Sequence, residues 1–312
     1  MSRSERVLVT GAAGFTGRHL CAHLHAHGYR VFGLTERAGE RLAGHAVEIH
    51  ADLLDAAAMT AAVRAAAPDL AVHLAAIAFP GHAQADAIYR VNLNGTLVLL
   101  EALASAGCGR SGVLLPSTGT VYGSVAADGL VETAPVAPAT HYAVSKFAME
   151  QMARIFARAL PIIVVRPFNY TGPGQREPYL VPKIVRHFAE GAAIIELGNV
   201  DVERDFLDVR TVVDAYRRLL ESPAAVGGTF NLCSGSGTAV RALVTMLEGV
   251  AGRRIEVRVN PQFVRAGEPQ RIVGSNVRLE SVIGPLQRIP LQQTLADMLR
   301  EAAAGDGVSG DT

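Results

Sequence analysis

The sequence predicts an α/β fold, a doubly wound parallel sheet with a smaller α/β lobe at its C-terminal end, on three observations. Short apolar runs alternate with helical patterns through the first half of the chain. A glycine-rich turn follows the first of those runs at once. After Arg166 the rhythm breaks at Pro167, Pro173, Pro178 and Pro182, interleaved with glycines. With 312 residues, 49% of them hydrophobic, the chain is long enough for one large domain and a lobe.

Residues 7–10 read as a buried strand, and Gly11-Ala-Ala-Gly14-Phe-Thr-Gly17 leads from it into a helical pattern lasting to about residue 27. Further strands are expected at 30–35, 47–51, 70–76, 113–117 and 162–166, with helices at 55–67, 84–106 and 140–160 between them. Helical crossovers cover both faces of such a sheet. The proline-rich stretch is expected to form loops and short helices closing over a ligand at the sheet's C-terminal edge. Beyond it, 209–221 and 238–251 read as helices, and 229–233 and 255–259 as short strands. No repeat or clean linker separates the parts, so the second lobe is expected to be interwoven with the first. The tail from Ala304, rich in Gly, Ser and Asp, is expected to fray.

Composition excludes several classes of partner. Lys plus Arg and Asp plus Glu number 29 each, which leaves no basic field for nucleic acid. No apolar run reaches the roughly 18 residues of a membrane span. The start from Met1 to Arg6 is polar and leads directly into a strand, so no signal peptide is expected. Cys21, Cys108 and Cys233 lack metal-ligand spacing and suit reduced thiols in a cytoplasm, without a disulfide. His19, His23 and His27 recur every four residues with His25 nearby, a spacing that zinc can use. However, one face of that helix must pack on the sheet, and no Cys, Asp or Glu completes the set. A solvated polar stripe and no metal are expected.

Two motifs carry chemistry. The glycine turn, spaced G-x-x-G-x-x-G, lets backbone approach a pyrophosphate and aims a helix N-terminus at its charge. Glycine turns also close βα units that bind nothing, but the preceding strand at the start of the chain favours a nucleotide. Tyr142 and Lys146, about 6 Å apart along a helix, leave one face and can meet at one substrate oxygen. The cation is expected to favour phenolate, so that the tyrosine exchanges a proton nearer neutrality than its free pKa of about 10. An amphipathic helix produces this pair by chance as well, and its weight comes from the turn that precedes it.

Other motifs follow in order: Asp52-Leu53, His73-Leu-Ala75-Ala76, Asn92-x-x-Gly95-Thr96, Ser117-Thr118-Gly-Thr-Val-Tyr122-Gly123, Arg166-Pro-Phe-Asn169, Arg204-Asp205-Phe206-x-Asp208-Val209 and Arg265-x-x-Glu268. Over nearly its whole length the chain thus resembles the extended short-chain dehydrogenase/reductase family of NAD-dependent epimerases and dehydratases acting on nucleotide sugars. The segments 166–175, 231–235 and 273–276 are most similar to the branch that reduces GDP-4-keto-6-deoxy-mannose.

The resemblance implies a Rossmann-like dinucleotide domain over 1–166 to which later segments return, a mainly substrate-binding lobe over 167–303, and a flexible tail over 304–312. It implies catalysis by Thr118, Tyr142 and Lys146, with Thr118 on the reacting oxygen. A strand-end cap is the bland reading of Thr118, and Ser117 is its possible substitute. For the cofactor it implies Gly11, Gly14, Phe15, Thr16, Gly17, Thr35, Arg37, Asp52 at adenine, Leu53, Leu74, Ala75, Ala76 and Pro167, with Tyr142 and Lys146 at the nicotinamide end. For the substrate it implies Asn169 and Gln175 at the hexose and its phosphate, Arg204 and Arg265 on the diphosphate, and Glu268 on a ribose or base. Most arginines are merely solvated charges, and motif context lifts these two above that. Asn92 reads as a neighbour of the site, and Asp205 and Asp208 as loop and cap residues.

Two departures from the family pattern matter. Thr35 stands where many relatives place a ribose-binding Asp, with Glu36 and Arg37 following, so NADP(H) is the expected preference and NAD(H) the second choice. Gly119-Thr120 replaces the Asp-Glu pair of dehydratases, so elimination lacks its acid and base. The implied activity is NAD(P)H-dependent reduction of the C4 ketone of a nucleotide-linked 4-keto-6-deoxy hexose, GDP-4-keto-6-deoxy-D-mannose to GDP-D-rhamnose, with a GDP-hexose as the implied partner. A C4-epimerase holding NAD tightly is the nearest alternative, and a silent NADP-sensing regulator is the alternative of another class. Surplus apolar residues, Phe147, Ala148, Met152, Ile155 and Phe156 on one helix and Leu97, Leu99, Leu100, Leu103 and Ala104 on the preceding one, predict a homodimer through four helices.

Overall fold

A computed structural model of the chain describes residues 4–40, 42–78, 84–123, 129–264 and 269–304. The first half runs β1 (Arg6–Thr10), α1 (Phe15–Ala26), β2 (Arg30–Thr35), β3 (Val47–His50), α2 (Ala56–Ala66), β4 (Leu70–His73), α3 (Ala85–Tyr89), α4 (Thr96–Ala106), β5 (Gly112–Pro116), α5 (His141–Phe156) and β6 (Ile162–Pro167). The second half runs β7 (Asn169–Thr171), α6 (Leu180–Ala189), β8 (Ile194–Leu197), β9 (Glu203–Asp208), α7 (Val209–Leu220), β10 (Thr229–Leu232), β11 (Gly237–Ala239), α8 (Val240–Ala251), β12 (Glu256–Val259), β13 (Arg271–Ile272), α9 (Val277–Ile283) and α10 (Leu291–Ala303).

Seven parallel strands form the main sheet in the order β10-β6-β5-β4-β1-β2-β3. Val7, Leu8 and Val9 are fully buried, as a strand covered on both faces requires. Leu20 and Leu24 of α1 and Val212, Tyr216 and Leu219 of α7 pack on one face. Met59 and Val63 of α2, Leu99 and Leu103 of α4, and Met149 and Ala153 of α5 pack on the other. Strand order reverses between β4 and β1, so a crevice opens where their C-terminal ends part. Strand β10 reaches the sheet edge from far along the chain, pairing with β6.

The helix expected over 84–106 carries a π-helical turn at residues 90–95, between α3 and α4. Leu99, Leu100 and Leu103 are fully buried in the chain's own core, which corrects the expectation that α4 offers them as surplus surface. The reason is packing on two sides, since α4 contacts both α2 and α5 over the sheet. On α5, by contrast, Ile155 is 78% exposed.

The proline-rich stretch builds more order than expected. Val181, Ile184, Val185 and Phe188 form the buried stripe of α6, a full-length helix. Pro182 sits in its first turn, where a missing N–H removes no intrahelical bond. Helices α6, α8 and α10 enclose a separate core with Ile195, Leu197 and Leu247. Strand β9 gathers β7, β11 and β13 into a small sheet beside it. No helix among the described residues is long and apolar enough to cross a membrane.

Candidate active site

The crevice begins at the glycine turn. Gly11 takes φ +66°, which favours glycine, and a Cβ there would lie 2.8 Å from Ala75 N. A Cβ on Gly17 would stand 2.2 Å from Gly11 O. Only bare backbone lets β1, α1 and the end of β4 approach this closely, and Gly14 opens α1 without a side-chain cap.

A buried chain of hydrogen bonds holds the same edge. Ala75 N donates to Thr10 Oγ1 at 3.1 Å, which lies 2.7 Å from His73 Nδ1, while His73 Nε2 lies 2.9 Å from Thr96 Oγ1. Thr96 donates its own proton to Asn92 O at 2.7 Å. His73 must therefore donate through Nε2 and accept at Nδ1, so it is neutral; burial, aided by Lys146, pushes its pKa down to about 3. Asn92 Oδ1 accepts from Ile77 N at 2.8 Å, and its Nδ2 donates to Ser145 Oγ at 3.1 Å. Ser145 lies between Tyr142 and Lys146, so the π turn ties the loop after β4 to the face of α5 that carries both.

Helix α5 starts where Thr140 Oγ1 accepts from Ala143 N at 3.1 Å. Tyr142 and Lys146 then face a cleft of about 750 Å³ that Ser117 and Thr118 also line. Thr118 caps the turn that follows β5, its Oγ1 accepting from Thr120 N at 3.2 Å, and its hydroxyl also bonds the Tyr142 phenol. Burial raises the phenol's pKa, Tyr170 and Tyr179 add to that, and the Thr118 bond opposes it. This corrects the expectation that Lys146 draws the tyrosine toward neutrality. Lys146 is itself only 3% exposed, and desolvation pushes its pKa down to about 8 against the pull of Glu150. Lost hydration disfavours the charged form of both, although Lys146 is almost wholly buried and Tyr142 keeps part of its surface at the cleft. The Ser117 hydroxyl is buried without a hydrogen-bond partner.

One turn below Lys146, Glu150 receives a bidentate bond from Arg166, Nε to Oε1 at 2.9 Å and Nη2 to Oε2 at 2.7 Å. Arg166 Nη1 donates to Tyr122 Oη at 2.9 Å, and Tyr122 donates to Asn231 Oδ1 at 2.7 Å. The Arg166 motif is thus a buried brace joining α5, β6 and β10.

The cleft collects Gly11, Gly14, Phe15, Thr16, Gly17, Leu74, Ala76 and Pro167 from the cofactor set and Asn169, Gln175 and Arg204 from the substrate set. Ala75 lies behind Gly11, and Leu53 packs over Gly95. Thr35 and Arg37, at and after the end of β2, and Asp52, after β3, do not line it; Asp52 Oδ1 accepts from Leu54 N at 2.8 Å. Gln175 Oε1 accepts from Thr171 at 2.7 Å, and Arg204 Nη1 donates to Glu203 O and Pro269 O at 2.8 and 2.9 Å. Arg265 and Glu268 lie outside the described residues. Asp205 accepts from Ser234 N and Gly235 N, and Asp208 caps α7.

Lys183, Tyr179, Asn199 and Phe263 line the cleft and were not legible in the sequence. Lys183 Nζ sits 4.6 Å from the Phe263 ring centroid, a pairing made by residues far apart in the chain. Among the described lining residues there is no Asp or Glu, whereas Lys146, Lys183 and Arg204 are cationic. Of the histidines expected to form a solvated stripe, His25 and His27 are exposed, whereas His19 and His23 are half-buried. His19 Nε2 lies 2.8 Å from Pro173 O, and Arg217 Nε donates to His23 Nε2 at 3.3 Å, because that side of α1 meets α7 and the loop after β7. Among the described residues no three His, Cys, Asp or Glu side chains are placed to hold a metal ion.

Comparison with known proteins matches residues 7–233 to a family model described as the NAD dependent epimerase/dehydratase family. The GDP-6-deoxy-D-talose 4-dehydrogenase of Aggregatibacter actinomycetemcomitans is 33% identical over 279 residues, covering 89% of this chain and 91% of that protein. The GDP-6-deoxy-D-mannose reductase of Pseudomonas aeruginosa is 34% identical over 310 residues, covering 96% and 97%. A solved structure of RMD from Pseudomonas aeruginosa complexed with NADPH superposes with a TM-score of 0.84 at 32% identity, covering 96% of this chain and 99% of that one.

Proposed function

The chain belongs to the NAD dependent epimerase/dehydratase family, and we propose that within it the protein reduces the C4 ketone of GDP-4-keto-6-deoxy-D-mannose to the alcohol of GDP-D-rhamnose. More broadly it is an NAD(P)-dependent oxidoreductase of nucleotide sugars. The single observation that carries the ketoreductase reading is a cleft that joins Thr118, Tyr142 and Lys146 to the glycine turn with no carboxylate among its described lining residues. Elimination of water needs an acid and a base there, and Thr120 supplies a hydroxyl.

The residues fit a nicotinamide dinucleotide. The glycines let β1, α1 and the end of β4 pack too closely for a Cβ at Gly11 or Gly17, which leaves bare backbone at the cleft, and Ser117, whose buried hydroxyl has no partner, lines the same cleft. When bound, the reduced nicotinamide supplies the hydride to C4. Burial keeps the Tyr142 phenol protonated near neutrality, which suits a donor of the proton that the ketone oxygen takes up. Thr118 orients that phenol, and Lys146, one turn along, sets a positive potential beside it. Lys183 and Arg204, which line the cleft, are the cations that would hold the diphosphate. NADP(H) is the proposed preference because Thr35 brings no carboxylate and Arg37 follows it.

Mixing the purified protein with the keto sugar and NADPH is expected to oxidise cofactor in step with formation of a GDP-6-deoxyhexose. Interconversion of GDP- or UDP-hexoses without net cofactor change would establish the epimerase instead, and cofactor binding with no turnover would establish a sensor.

Lys146 gives this activity an alkaline limit. Its folded pKa is lowered to about 8, so its charge is present below that pH and lost above it. The profile of kcat/KM is expected to fall above pH 8, and Lys146→Arg to remove that limb; a limb unchanged in the variant assigns it to another group.

A cytoplasmic homodimer through α4 and α5 completes the proposal. Its apolar contribution comes from Ile155 and the partly covered Phe147, Met152 and Leu97. Light scattering at low micromolar concentration is expected to give twice the chain mass, and Ile155→Glu to give one; a parent that stays monomeric sinks the interface.

A further inference from the structure

We propose that Glu48 is the carboxylate that recognises the adenosine ribose of the dinucleotide and restrains the preference for a 2′-phosphate. The inference rests on the dinucleotide reading above and adds a specificity-determining residue to it. Position 35 carries a threonine, but the neighbouring strand brings a carboxylate to the same place. In the parallel pair β2–β3, Glu48 stands opposite Gly33 and His50 opposite Thr35. A Cβ on Gly33 would lie 2.8 Å from Ala12 Cβ, so the face that Gly33, Thr35 and Glu48 share is the one turned toward the glycine turn. The turn itself meets the end of β2, where Ala12 N donates to Leu34 O at 3.5 Å.

On that face Thr35 Oγ1 donates to Glu48 Oε1 at 3.0 Å, and Glu40 N donates to the same oxygen at 3.0 Å. Thr35 is 3% exposed whereas Glu48 is exposed, so a buried hydroxyl and a backbone amide hold one carboxylate oxygen and leave the group's outer side to the ligand. Glu48 stands two residues before the end of the strand pair, and its side chain reaches forward to Thr35, so that its carboxylate can accept from ribose hydroxyls and repel a 2′-phosphate there. Arg37, exposed in the loop that follows Thr35, acts in the opposite direction. The choice between NADP(H) and NAD(H) is thus a balance between Arg37 and a carboxylate supplied by β3.

The test is direct titration of the protein with NADPH and with NADH, followed by nucleotide fluorescence and without sugar. Glu48→Gln keeps an acceptor for Thr35 and removes the charge. It is expected to tighten NADPH and weaken NADH, moving the ratio of their dissociation constants by about tenfold or more. Thr35→Val frees the carboxylate from its tether and is expected to move the ratio the same way by less. A ratio that stays within about twofold of the parent in Glu48→Gln overturns the assignment while leaving dinucleotide binding intact. A parent that binds neither nucleotide overturns this inference together with the reading beneath it.

Discussion

Tyr142→Phe is expected to lower turnover by roughly 10²–10⁴-fold while nucleotide binding stays near that of the parent. The substitution removes one oxygen from a ring whose packing is unchanged. Because burial holds the phenol protonated, the parent delivers its proton from a group already in the donor state, and phenylalanine has none to give. Thr118 then loses its bond to the phenol, and the hydroxyls that still line the cleft, those of Ser117, Thr118 and Thr120, set the floor of residual activity. Steady-state kinetics with the keto sugar, paired with a fluorescence titration of NADPH, separates the two effects. Activity within a few-fold of the parent would remove Tyr142 from the donor role.

The second large effect is on stability. Glu150 and Arg166 are almost wholly buried, with side chains 3% and 6% exposed, and each satisfies the other through two hydrogen bonds. Glu150→Leu strands the guanidinium in the core, and the expected loss is roughly 3–5 kcal/mol, enough to lower the thermal midpoint by on the order of 10 °C. The paired variant Glu150→Leu with Arg166→Met removes both charges and is expected to recover most of that loss, since the desolvation cost goes with them. A single variant as stable as the parent would mean that Arg166 is held by Tyr122 and the Glu132 carbonyl alone. The brace also reaches the chemistry. Glu150 raises the pKa of Lys146, so Glu150→Gln is expected to shift the alkaline limb of the pH profile to lower pH.

The glycine turn, the buried strand before it and the four-residue spacing of Tyr142 and Lys146 were legible because each is a local pattern with its own period or backbone demand. The same holds for the absence of acidic residues at Gly119 and Thr120. Strands β7, β11 and β13 were not legible, for two or three residues carry no period and exist only because β9 lies beside them. The π turn at residues 90–95 escaped because its apolar pattern is helical, while the side-chain bonds that fix Asn92 within it go to Ile77 and Ser145 on other parts of the chain.

Charge states belong to the same divide. The spacing on α5 says that a phenol and an ammonium share a helix face, and nothing in it says how much water they keep. Folding took hydration from both, which raised one pKa and lowered the other, and it set Lys183 beside Phe263 and Glu48 beside Thr35 across the chain. Residue order alone identified the fold, the glycine turn proposed for the phosphates and the Tyr142/Lys146 pair proposed to react, since these depend on near neighbours. Protonation, the carboxylate set beside Thr35 and the cationic lining of the cleft waited on the packed molecule, because desolvation and hydrogen-bond partners come from residues distant in sequence.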